Sequence, residues 1–252
     1  MTKADNNVGD NAEGSTENAA NLNALYPFLS NKKADPASMN QALLDSISGK
    51  LAQHQRVVND FFTTSNQALI DCSGAIAEMY RHNGRLFTIG NGGSSCDASH
   101  VAVEFLHPVT AGRPALPAYD LSCDKTLMTA IANDVGYEYV YSRQVENLVS
   151  KNDALIAIST SGNSTNLTRA LAQAKKNGAL TIGLVGGNGG EMLKMGLDHC
   201  LLADTNSIHR TQECHVTIYH MLWDLVHTLL ADDRGNLGNT THDNKETDNE
   251  IR

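Results

Sequence analysis

His100 and Glu104 sit four residues apart in "SHVAVEF". On a helix, positions i and i+4 share a face, so an imidazole and a carboxylate converge on one point. Such a pair can act as an acid–base couple, as half of a metal site, or as a plain solvated contact. More imidazoles lie near the carboxyl end, in "HRTQECHVTIYHMLWDLVH", at His209, His215, His220 and His227. No HExxH occurs, so this is not a zincin. Gln212 and His220 are about 12 Å apart along a regular helix and diverge by about 80° around it, so spacing alone does not pair them. His82, His199, His215 and His227 are read as packed or interfacial.

Two turns carry groups suited to an anion. The first is "GNGGSS", Gly90–Ser95, between an apolar run and a helical pattern. Asn91, Gly92, Gly93 and Ser94 could bring backbone N–H groups close to a phosphate at a helix N-terminus. The plain alternative is a tight turn with Ser94 or Ser95 as N-cap. The turn is not GxGxxG and lacks the lysine of a P-loop. The second is "STSGNS", with Ser159, Thr160, Ser161 and Ser164 around Gly162 and Asn163. One hydroxyl suffices to cap a helix, and here there are several. Hydroxyl and amide donors without Lys or Arg suit a phosphate monoester on a small molecule.

The elements that must hold these groups are legible from periodicity. Gln41 to His82 is helical in pattern, in two stretches, and Asn83-Gly84 stops it. Apolar runs "RLFTIG", "ALPAYDL", "DALIAIST", "ALTIGLVG" and "DHCLLAD" read as five strands. Between them "DKTLMTAIAND", "YEYVYSRQVENLV" and "NSTNLTRALAQAKKNG" read as helices, and a long helix runs from about Ser207 to Leu230. Strands alternating with helices predict an α/β fold, a three-layer α/β/α sandwich around a parallel sheet, with an N-terminal helical segment. Ligands then bind beyond the carboxyl ends of the strands, where both turns fall.

Composition narrows the classes. The net charge is −9, with −2 on residues 1–38, −3 on residues 232–252 and −4 between. No basic footprint points to nucleic acid. No apolar run reaches the ~20 residues that span a bilayer, and the first residues show no secretory h-region. Cys72, Cys96, Cys123, Cys200 and Cys214 form no CxxC and read as free thiols of a cytoplasmic protein. The expected organisation is a disordered extension over 1–38, one domain over 39–232, and a disordered tail over 233–252.

"GNGGSSCDASH", "ISTSGNS" and "TQECHVTIYH" together resemble the sugar isomerase (SIS) domain family, nearest its sedoheptulose 7-phosphate isomerase branch, over residues 45–230. The resemblance implies a flavodoxin- or Rossmann-like sheet and interconversion of a ketose phosphate and an aldose phosphate through an enediol. It implies Glu104 and His220 as the acid–base pair. His100, Glu104, Gln212 and His220 would line one site and hold one zinc ion. Asn133-Asp134 matches a substrate-contacting pair, whose plain alternative is a helix end and turn. The substrate would be a phosphorylated heptose and the assembly a homotetramer, without nucleic acid or membrane as partner. One departure stands out: Pro108 occupies the place of a family arginine, and the next basic residue is Arg113. The alternatives are a non-catalytic SIS protein, either phosphosugar-binding or associated with a replication initiator, and an isomerase of another phosphosugar.

Overall fold

A computed structural model of the protein describes residues 36–110 and 112–231. The expected disordered extension and tail lie outside these residues, except for 36–38, which are helical. The chain divides after Lys50 into two units. The opening helix α1, Pro36–Thr64, begins on a proline, whose fixed φ suits a first helical position. In the first unit, Met39, Leu43, Leu44 and Ile47 are all exposed.

α1 ends where Thr63 and Thr64 turn their hydroxyls back onto the Asn59 and Asp60 carbonyls at 2.7 and 2.8 Å. Such back-bonding loosens a helix, and Ser65 separates α1 from α2, Asn66–Arg81. α2 closes as expected at Asn83-Gly84. Asn83 takes a left-handed φ of 59°, and the Gly84 N–H reaches the Met79 carbonyl at 3.0 Å.

The remaining elements alternate. They are β1 Leu86–Gly90, α3 Gly93–Leu106, β2 Ala118–Asp120, α4 Lys125–Asp134, a 3₁₀ turn Tyr137–Tyr139, α5 Ser142–Leu148, β3 Ala154–Ser159, α6 Thr165–Asn177, β4 Leu180–Gly186, α7 Gly190–Lys194, β5 His199–Ala203 and α8 Ile208–Leu230. The "YEYVYSRQVENLV" stretch is therefore a 3₁₀ turn and a short helix. The short helix α7, in the glycine-rich stretch after β4, carries no strong pattern in the sequence.

All strand pairs are parallel, in the order β2-β1-β3-β4-β5. β1 and β3 are buried along their whole length, as strands covered on both faces must be. Alternate residues feed two cores. Leu86, Ala154, Ile156 and Ile158 pack with α2, α3 and α8 through Ile76, Phe105, Ile218 and Leu222. Phe87, Ile89, Leu155 and Ala157 pack on the other side with Tyr141, Val145, Leu167 and Leu171. The predicted three-layer sandwich with a five-stranded sheet is the observed one. The strand order reverses direction between β1 and β3, which opens a crevice at their carboxyl ends. Both anion-type turns sit there.

Candidate active site

The first turn does not use serine as a cap. Gly92 occupies the N-cap with φ 55°, and no side chain caps α3. The Ser95 hydroxyl bonds instead to the Gly92 carbonyl at 2.7 Å. The second turn is similar: Ser164 stands at the N-cap of α6 without a side-chain capping bond. Neither Ser94 nor Ser95 is the N-cap of α3, and Ser164 holds the N-cap position of α6 without spending its hydroxyl there. Ser159 Oγ accepts from the Gly162 N–H at 3.0 Å and Ser161 Oγ from the Asn163 N–H at 3.3 Å. Each hydroxyl keeps its proton to donate. The Thr160 and Ser164 hydroxyls make no hydrogen bond among the described residues.

Gly162 is required here: its φ is 66°, and a Cβ would stand 2.1 Å from the Gly189 carbonyl oxygen. The β4–α7 loop thus backs the turn closely, with the Met192 N–H on the Gly162 carbonyl at 2.9 Å. Thr160, Ser161, Asn163, Asn188, Thr205 and Asn206 line a cleft of about 330 Å³ beside it.

The two turns are tied together. Asn91 and the buried Asn166 exchange side-chain hydrogen bonds of 2.9 and 2.8 Å. Tyr137 Oη donates to Asn91 Oδ1 at 3.0 Å. Asn91, expected to touch substrate, therefore spends most of its amide on holding the turns side by side. Asn133 and Asp134 are exposed at the end of α4, bonded to each other at 2.8 Å. No side-chain hydrogen bond ties them to the turns among the described residues.

The chemistry-bearing side chains meet between α3 and α8. His100 Nε2 lies 3.1 Å from Glu104 Oε1, as the i, i+4 spacing requires. The His100 and His220 rings are 5.0 Å apart between centroids. One donor atom from each of His100, Glu104 and His220 lies within 4.8 Å of the others. Gln212 is seated elsewhere on the same helix pair: a Cβ at Gly93 would be 2.1 Å from its Nε2. Gly93 opens α3 seven residues before His100, about 10 Å along the axis. The close approach of Gln212 is thus to the turn.

Three partners escaped the sequence reading. Tyr219 Oη is 2.8 Å from His100 Nδ1, and burial pushes its hydroxyl pKa up, so it stays protonated. Trp223 Nε1 donates to the Glu104 carbonyl at 2.7 Å. Asp97 is buried three residues before His100, with Oδ2 lacking a hydrogen-bond partner. Burial pushes its carboxyl up to about 6, against the pull of His100. The "CDASH" spacing does place Asp97 on the face of His100, the one signal that could have found it. His215 and His227 are buried, and desolvation lowers both pKa values, His215 to about 4. They are core residues, as expected. His82 is exposed and His199 half-buried.

Comparison with known proteins agrees with this fold. The SIS domain model matches residues 51–186. A phosphoheptose isomerase of Desulfovibrio desulfuricans is 42% identical over 188 residues, covering 74% of this chain and 89% of that protein. One from Nitratiruptor is 38% identical over 184 residues, covering 73% and 98%. The structure of phosphoheptose isomerase from Neisseria gonorrhoeae superposes with a TM-score of 0.69 at 30% identity, over 73% of this chain and 98% of that one. The chain belongs to the SIS domain family.

Proposed function

We propose that the protein is a phosphoheptose isomerase, an aldose–ketose isomerase that converts sedoheptulose 7-phosphate to D-glycero-D-manno-heptose 7-phosphate. The observation that carries this reading is the convergence of His100, Glu104 and His220 on one point, with two of the three on the helix that the first anion-type turn opens. The relatives named above bear the same activity in their names.

In this reading the hydroxyls of Ser159, Thr160, Ser161 and Ser164 and the N–H groups at the start of α6 hold the substrate phosphate. Asn91, Gly92, Gly93, Ser94 and Gln212 form the facing wall, and Asn133 and Asp134 reach the sugar from α4. The Glu104 carboxylate takes the proton from C1 of the ketose and returns it at C2. His220 gives a proton to the carbonyl oxygen and takes one back from the enediol. Each such transfer is worth about 10²–10⁴ in rate.

Two imidazoles and a carboxylate within 4.8 Å are a donor set that suits zinc with an open position. His100, Glu104 and His220 would hold the ion; Gln212, the fourth ligand that the resemblance implies, lies against the turn at Gly93. Bound there, zinc would polarise the substrate carbonyl. The Tyr219 hydroxyl on His100 Nδ1 orients that ring toward the site.

Met39, Leu43 and Ile47 recur at four-residue steps on α1, all exposed. An apolar edge of this kind supports a homotetramer. A cytoplasmic location suits a phosphorylated substrate and five unpaired cysteines. Among the described residues no helix is long and apolar enough to cross a membrane.

The test is a turnover assay with sedoheptulose 7-phosphate against a panel of other ketose and aldose phosphates. Preference for the heptose supports the proposal. Turnover of a different phosphosugar replaces the substrate, and no turnover of any favours the non-catalytic SIS alternative.

A further inference from the structure

The end of α3 lacks a donor that its geometry calls for. In a continuing helix the Glu104 carbonyl would accept from the N–H four residues on. That residue is Pro108, which has no N–H. The neighbouring carbonyls are served: His107 N–H reaches Val103 and Leu116 N–H reaches Phe105, both at 2.8 Å. Glu104 is passed over by the backbone. Its carbonyl is taken instead by the Trp223 indole N–H at 2.7 Å.

The indole is itself held in place. The Arg113 guanidinium lies 4.3 Å from its ring centroid and bonds to Asp224 at 2.5 Å. His227 packs edge-on at 5.1 Å. Trp223 lies three residues after His220 on α8, one turn away on a neighbouring face. The bond therefore joins the backbone that carries Glu104 to the helical turn that carries His220.

We infer that Trp223 is a positioning residue: it replaces the donor missing at Pro108 and fixes Glu104 against His220, with Arg113 clamping the ring. The catalytic consequence rests on the function proposed above, and the structural one does not. An unpaired carbonyl is costly enough to fray a last turn, and a displacement of the order of 1 Å at a catalytic group can cost a hundredfold in rate.

The experiment is a double-variant cycle. Trp223→Phe keeps a ring for Arg113 to cover but removes the N–H. Circular dichroism verifies the fold. With sedoheptulose 7-phosphate, kcat should fall about tenfold, while KM stays within about twofold. Amide exchange at His107 and Leu116 should quicken. Pro108→Ala returns an N–H four residues after Glu104. Alone it should leave kcat within about twofold, and added to Trp223→Phe it should restore most of the lost turnover and amide protection. Unchanged kcat and protection in Trp223→Phe, or a loss that Pro108→Ala does not reverse, overturns the inference. If the unaltered protein turns over no phosphosugar, the functional proposal fails. Amide exchange then still decides the positioning role: quickened and restored supports it, unchanged overturns it.

Discussion

Strand β3 carries polar side chains at both ends, and they are satisfied in opposite ways. At the amino end the buried Asp153 receives five hydrogen bonds, from the Arg85 N–H, Nε and Nη2 and from the Ser150 N–H and hydroxyl. At the carboxyl end Ser159, Thr160, Ser161 and Ser164 keep donors unspent. On α3, the helix opened by the neighbouring turn, Asp97 Oδ2 is buried without a partner and His100 and Glu104 converge with His220 of α8. One end saturates itself and so contributes structure. The other leaves polar groups to be satisfied by something that binds. Polarity alone does not mark a site, since both ends are polar; unspent hydrogen-bonding capacity does.

Substitutions at the two ends should therefore separate cleanly. The largest effect belongs to the carboxyl end. His220→Ala should lower kcat by about 10²–10⁴, with thermal stability close to that of the parent because His220 is exposed. Stopped-time assays beside a melting curve read both quantities. A large loss of stability with kcat intact would reverse the roles assigned to the two ends.

Next comes the amino end. Asp153→Asn leaves Arg85 facing a neutral amide and should cost about 3 kcal/mol of stability, read by urea unfolding, with kcat and KM unchanged. pH should report the same group. Burial pushes the Asp153 carboxyl up, but the bonds from Arg85 and Ser150 outweigh it and hold it below the usual carboxylate range. A folded pKa below the unfolded one means stability that is present above about pH 4 and lost as the pH falls below it. Asp153→Asn should flatten that acid limb. An unaltered limb would show that Asp153 is not the group responsible.

The smallest effect sharpens the comparison within the carboxyl end. Ser161→Ala removes one donor to a charged phosphate, worth about 1.5–3 kcal/mol. KM for the phosphorylated substrate should rise about tenfold or more, with folding intact. An unchanged KM would move the phosphate away from Ser161.

How much of this was legible in the sequence follows from the range of each interaction. The strands, the two turns and the i, i+4 pair of His100 and Glu104 are local patterns, and they stand as expected. The pairing of β1 with β3 follows from the general logic of parallel sheets. The ties between distant segments have no local signature. Asn166 reaches back 75 residues to Asn91, and Tyr219 and Trp223 reach 119 residues to His100 and Glu104. Asparagine, tyrosine and tryptophan on helices read as ordinary packing until the fold brings them to a partner. The division of the N-terminal helical segment into two stretches was legible, but not its place at Ser65, because a threonine hydroxyl folding back on its own helix changes no periodicity.

The most direct test of the central claim follows the proton itself. Sedoheptulose 7-phosphate is incubated with the protein in deuterated water and observed by NMR. Transfer through an enediol by an exchangeable carboxylate should produce an aldose phosphate carrying solvent deuterium at C2, and Glu104→Gln should abolish both the product and the label while the substrate still binds. Conversion at the parent rate with Glu104→Gln, or product formed by the unaltered protein without any exchange at C1 or C2 on prolonged incubation, would contradict the assignment of Glu104 as the group that moves the proton.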